Sequence, residues 1–157
     1  MEIGVAVIGL TSVALCAIPF ILTNRNRKIK ERKVFTTLQN VAKKHNAIVE
    51  EYELFGHYAI GIDQKNKFVF FTSITNEIIQ EQYIELSNIL TCEIANIGRN
   101  NHKKEKITER LNLIFFPKDV NESNKVLEFY NAETHFQLSD EFQSIQKWNN
   151  RIKTLLA

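Results

Sequence analysis

Residues Tyr58 to Thr72 read YAIGIDQKNKFVFFT. Tyr58, Ile60 and Ile62 alternate with Ala59, Gly61 and Asp63, the two-residue period of a strand with one face buried. Gln64 to Asn66 is short and polar, so the chain turns there and Lys67 to Thr72 returns as the second arm of a hairpin. Phe68-Val69-Phe70-Phe71 is apolar at successive positions. Both faces of that strand must therefore be covered, either at the centre of a sheet or where a helix crosses it. A lone hairpin is barely stable in water, so the remaining chain has to supply the cover.

Downstream, the segments Gln82 to Leu86, Ile89 to Ile97, Ile107 to Phe116 and Lys125 to Tyr130 read as further strands. Ser87-Asn88, Gly98 to Lys106 and Pro117 to Asn124 separate them, each turn-forming or charged. The last element is a helix opening at Ser139, whose hydroxyl can accept an early N–H, with Asp140 and Glu141 at its positive end. Phe142, Ile145, Trp148, Ile152, Leu155 and Leu156 recur at helical spacing and form its apolar face. Upstream, Val34, Phe35, Leu38, Val41 and Ala42 mark one face of an amphipathic helix from Ile29 to His45. Its opposite face, with Thr36, Thr37, Gln39 and Asn40, is neutral, which favours packing on the domain over lying on lipid headgroups.

The N-terminal end carries a different signal. Ile3 to Leu22 is twenty residues without a formal charge, about 30 Å as a helix, and residues 24–33 then hold Arg25, Arg27, Lys28, Lys30, Arg32 and Lys33 against Glu31. This pattern predicts a transmembrane anchor over residues 1–23 with a basic membrane flank on the cytoplasmic side. A cleaved signal peptide would start with basic residues and have a shorter apolar run, and Leu15 before Cys16 is too large for a lipoprotein site. The expected topology is a single pass through a bacterial inner membrane, N-terminus outside, with residues 24–47 as flank and amphipathic helix and residues 48–157 as a cytoplasmic domain. Ala6, Gly9, Ser12 and Cys16 place small side chains on one helical face, which leaves homodimerisation through this helix open, although no GxxxG is present.

The fold class expected is thus α+β: anchor, linker helix, an antiparallel sheet or small barrel of about six strands, and a capping C-terminal helix. Once residues 1–33 are set aside, 14 Lys and Arg meet 16 Asp and Glu, a net charge of −2 that argues against nucleic acid as a partner. Cys16 and Cys92 form no disulfide framework, and His45, His57, His102 and His135 lack the close spacing of a metal signature. No nucleophile is tied to His57, and no phosphate-cradling glycine loop exists. Glu50, Glu51 and Glu53 read as a solvated strand edge and Cys92 as a small buried hydrophobe. No catalytic residue, cofactor or metal is expected. The remaining charged feature is the loop carrying Arg99, Lys103, Lys104 and Lys106, which could touch anionic lipid or an acidic partner, or be a solvated hairpin tip.

The strand order ending in a Trp-bearing helix resembles the pleckstrin-homology-like (PH-like) barrel. The runs AIGID at Ala59 to Asp63, FVFF at Phe68 to Phe71, ELSNILTCEI at Glu85 to Ile94, EFYN at Glu128 to Asn131 and LSDEFQSIQKW at Leu138 to Trp148 are similar to PH-like domains of bacterial membrane-anchored or cytosolic proteins. The resemblance spans most of residues 48–156. It implies a binding or scaffolding module without catalysis, for a protein partner or a peptide at a sheet edge; the alternative is a peripheral sensor of anionic lipid headgroups. The phosphoinositide-binding version of the fold carries basic residues in its first hairpin loop, where this chain has only Lys65 and Lys67 beside Asp63.

Overall fold

The computed structural model describes the backbone of residues 2–100, 106–135 and 137–157, and the side chains of these ranges from Leu22 onward. Its order is α1 (Glu2–Lys44), β1 (Glu51–Leu54), β2 (Tyr58–Asp63), β3 (Phe68–Thr75), β4 (Ile78–Glu85), a 3-10 turn (Leu86–Asn88), β5 (Ile89–Asn100), β6 (Lys106–Pro117), β7 (Lys125–Asn131) and α2 (Glu141–Leu156). The strands form two antiparallel sheets, β1-β2-β3-β4 and β5-β6-β7. The architecture is α+β, with two α-helices among the described residues.

The double-sided character of β3 is resolved by two separate cores. Val69 and Phe71 point between the sheets, where they join Tyr58, Ile60 and Ile62 of β2, Leu111, Leu113 and Phe115 of β6, and Ile145, Trp148 and Ile152 of α2. Phe68 and Phe70 point the other way, against Val34, Leu38, Val41 and Ala42 of α1. The second half of α1 therefore lies across the outer face of the first sheet, and Thr72 Oγ1 donates 2.9 Å to the Val34 carbonyl to fix its height. Close approach is needed at Gly61, where a Cβ would lie 2.6 Å from Val49 Cγ1 and 3.0 Å from Leu38 Cδ2. Only glycine leaves room for both.

Turn chemistry sets the register. α1 ends with Asn46 at φ 53° and the Ala47 N–H donating 2.9 Å to the Ala42 carbonyl, a left-handed stop that asparagine tolerates. Asp63, almost wholly buried, accepts 2.8 Å bonds from the Ile48 N–H, the Asn66 N–H and Asn66 Nδ2, tying the β2–β3 turn to the segment after α1. Burial pushes this carboxyl's pKa up, but the donors, including the Lys65 amide, outweigh it and hold the group below the usual range. At Gly98 a Cβ would run into the Ile107 carbonyl oxygen, beside a register shift in the β5–β6 ladder.

Several expectations are corrected. Among the described residues no helix is long and apolar enough to cross a membrane, which overturns the single-pass anchor and the inner-membrane placement with an outside N-terminus. From Leu22 onward α1 carries six Lys and Arg within ten residues, each costing a few kcal/mol in hydrocarbon, and its apolar stripe is used against the sheet. Anchor and linker helix are also not separate elements, because α1 runs unbroken from Glu2 to Lys44. The side chains of residues 3–21, including the face of Ala6, Gly9, Ser12 and Cys16, lie outside the described residues.

The described residues hold seven strands in two sheets, one more than expected, because Glu51–Leu54 forms a strand of its own before Tyr58–Asp63, with a break at residues 55–57. Ser139 does not cap α2: its N–H and hydroxyl instead donate to Glu141 Oε2 at 2.6 and 3.1 Å. Phe142 is exposed. The buried stripe runs through Glu141, Ser144, Ile145, Trp148, Asn149 and Ile152.

Candidate functional site

Two stacked sheets leave two open sides, and the chain treats them differently. On the side of β1 and β5, α2 fills the gap. Trp148 Nε1 and Ser144 Oγ donate to Glu53 Oε2 at 2.6 and 2.7 Å, Tyr58 OH donates to Ser144 Oγ at 3.1 Å, and Arg151 Nε donates to Glu51 Oε2 at 3.0 Å. The acids of β1 are thus not a solvated edge but the polar clasp that seats the helix. Burial, opposed by the Ser144 bond and reinforced by the nearby Glu53 charge, raises the Tyr58 phenol far above its ordinary range, so it stays a donor. Cys92 is fully buried, its thiol 3.4 Å from Asn149 Oδ1, and burial pushes it up to about 11. A thiol held so far into its protonated form is structural.

On the other side, β4 and β7 are the free edges of their sheets and face each other across a cleft. The cleft measures about 320 Å³. Ser73, Thr75, Gln80 and Gln82 line one wall and Glu128 and Asn131 the other. Side chains span it: Gln82 Nε2 donates 3.2 Å to the Val126 carbonyl, and Lys125 Nζ lies 5.8 Å from the centroid of the Tyr83 ring. β4 is exposed over most of its length, with Ile78 at 65% and Tyr83 at 46% of full exposure. An edge strand of this length with exposed apolar side chains is the kind that proteins ordinarily blunt or cover.

At the end of this cleft stand two histidines that lie 78 positions apart in the chain, with ring centroids 3.8 Å apart. His57, from the β1–β2 connection, is 3.1 Å through Nε2 from the Phe129 carbonyl, which fixes the proton on that nitrogen. His135, after β7, is 2.8 Å through Nδ1 from Thr134 Oγ1, which also lies 3.2 Å from the Asn131 carbonyl. Burial first, and then the neighbouring His135, lower the pKa of His57; burial likewise lowers that of His135. Spacing in the sequence could not have paired them, because the hydrogen bonds that orient them come from β7 and the turn after it.

The residues singled out in the sequence fall into three groups. Arg99 is paired with Glu109 at 3.0 Å, and Lys106 Nζ donates 2.9 Å to the Asn96 carbonyl, so these two cations are engaged along the β5–β6 hairpin. Lys103 and Lys104 lie outside the described residues. The six basic residues of the flank are exposed on α1 but split between faces. Arg25, Lys28 and Arg32 line one side, whereas Arg27 and Lys30 line a cavity shared with His57 and His135. Lys33 is exposed one position before the stripe that docks on the sheet.

Among the described residues, no group of three or more His, Cys, Asp or Glu is placed to hold a metal. No family model matches the chain, and no curated protein or solved structure matches it either.

Proposed function

We propose that this chain is a binding module for a protein partner, which it engages by adding an extended segment to the free edge of β4. The single observation that carries the reading is the asymmetry of the two open sides: α2 and a satisfied polar clasp close one, whereas the other keeps two unladdered strand edges and a polar cleft between them. Backbone groups on such an edge give affinity to any extended chain, and the pockets beside it read alternate side chains. The likeness to PH-like domains supports the same class of role, as does the order of a four-stranded sheet, a three-stranded sheet and a closing helix.

The test uses the full chain and peptides selected from a random displayed library. Hydrogen exchange should show slowed amides in Ile78–Glu85 when a selected peptide binds, and Ile78→Lys should weaken binding. Protection confined to α1 or to the outer face of the second sheet would overturn the strand-addition reading. Saturable flotation of the chain with anionic vesicles, lost on Arg99→Gln with Lys106→Gln, would favour the lipid-sensing alternative instead.

A further inference from the structure

A second cavity of about 480 Å³ opens beside the first, where α1 passes the ends of the first sheet. Asn26, Arg27 and Lys30 come from the helix, His57 from the β1–β2 connection, and Thr134 and His135 from the segment after β7. Arg27 is held in place: its Nε is 2.9 Å from Glu31 Oε1, and its Cγ would be 3.6 Å from a methyl placed on Gly56, so its stem lies along that loop. Lys30 has no comparable carboxylate partner among the described residues and acts electrostatically on both histidines. One nitrogen of each imidazole is taken by the protein, Nε2 of His57 by the Phe129 carbonyl and Nδ1 of His135 by Thr134 Oγ1. His57 Nδ1 and His135 Nε2 are therefore left as the nitrogens that become donors on protonation.

We propose that this cavity is a binding site for a small dianion of sulfate or phosphomonoester size, held by Lys30 and Arg27 and by the free nitrogens of the His57–His135 pair. The chemistry is complementary. Two imidazoles with centroids 3.8 Å apart repel each other once both are charged, and a dianion beside them removes that repulsion. Binding therefore takes up protons. The charged groups facing the pair are Lys30 and Arg27 from α1, Glu77 from the β3–β4 turn, Glu128 from β7 and Glu141 from α2. Of the acids, Glu77 lines the cavity itself and competes with the anion for the same cations. The cavity adjoins the β4–β7 cleft and shares His57, Thr75 and His135 with it, but the anion uses the cations of α1 whereas strand addition uses the β4 backbone, so Lys30→Gln and Ile78→Lys test the two sites apart.

Sulfate is the probe of choice because its charge does not change between pH 5.5 and 8, and any pH dependence then belongs to the protein. The full chain is titrated with sodium sulfate at ionic strength held constant with chloride, and the histidine ring protons are followed by NMR. His45, stacked on Tyr83 on the far face of the first sheet, serves as the internal control. The His57 and His135 resonances should shift saturably while those of His45 do not, with affinity tightening about tenfold per pH unit for one proton taken up, up to about a hundredfold between pH 7.5 and 5.5. Lys30→Gln should weaken binding about five- to tenfold, and Glu77→Gln should tighten it. Either a soluble phosphomonoester or vesicles carrying phosphatidic acid displacing sulfate at these resonances names the natural source of the dianion. Shifts no larger than in chloride, affinity that does not change with pH, or indifference to both substitutions would overturn the site.

Discussion

Seating α2 on Glu53 should be worth several kcal/mol, and a double-mutant cycle can isolate the bond that matters most. Trp148 is wholly buried and its Nε1 donates 2.6 Å to Glu53 Oε2, the oxygen that also accepts Ser144 Oγ at 2.7 Å. A hydrogen bond to a charged acceptor contributes about 1.5–3 kcal/mol, and stranding a buried donor costs a similar amount. The Glu53 side chain keeps 26% of its exposure, so the lower half of that range applies. Glu53→Ala should then cost about 3 kcal/mol, because the indole and the Ser144 hydroxyl both lose their acceptor. Glu53→Gln, whose amide oxygen can still accept both, should cost about 1 kcal/mol. Trp148→Phe removes the donor together with part of the ring, about 2 kcal/mol.

If Glu53 acts chiefly on the indole, the double variant Glu53→Ala/Trp148→Phe will be less destabilised than the sum of the singles by about 1.5 kcal/mol. Urea denaturation followed by near-ultraviolet circular dichroism supplies each free energy. A coupling below about 0.5 kcal/mol would show that the two side chains act independently and refute the clasp.

Three further outcomes follow from local geometry. Asn76 and Glu77 both sit at positive φ, 50° and 68°, in the two-residue turn between β3 and β4, a conformation that asks for glycine at the second position; Glu77→Gly should stabilise the chain by about 0.5–1 kcal/mol, and an unchanged or lower melting temperature would count against the strain. The histidine pair makes stability fall with acid: both imidazoles are held below their ordinary range, so the unfolded chain takes protons first once the pH drops below about 6.5, and stability is lost through that window. Urea midpoints at pH 7.5, 6.5 and 5.5 should show this slope, flattened in His57→Gln; a midpoint that rises toward pH 5.5 would contradict the sign. Cys92, with its thiol pushed up to about 11, should resist iodoacetamide at pH 8 in the native state and react after unfolding.

Strands with strong local signals, and the faces they bury, are legible along the chain. The run at Phe68–Phe71 announced a strand covered twice, and the spacing of Val34, Leu38, Val41 and Ala42 announced the helical stripe that covers it on one side. Trp148 was legible as the anchor of the last helix because the 3.6-residue period needs no partner to be recognised. The reading of residues 3–22 went astray on the same kind of evidence: a composition window weighs apolar character without knowing whether the helix beyond it is spent on a sheet. The polar clasp and the candidate sites arise only once the chain is folded. Glu53 lies 95 positions from Trp148 and His57 lies 78 from His135, and hydrogen-bond pairing of that kind has no period along the chain. Glu53 could be told from a solvated acid only when α2 came to rest across β1, because a carboxylate's role is set by which donors reach it. Nor could any local pattern show which side of the sheet pair stays open, since that depends on α2 having one gap to fill and choosing the side of β1 and β5.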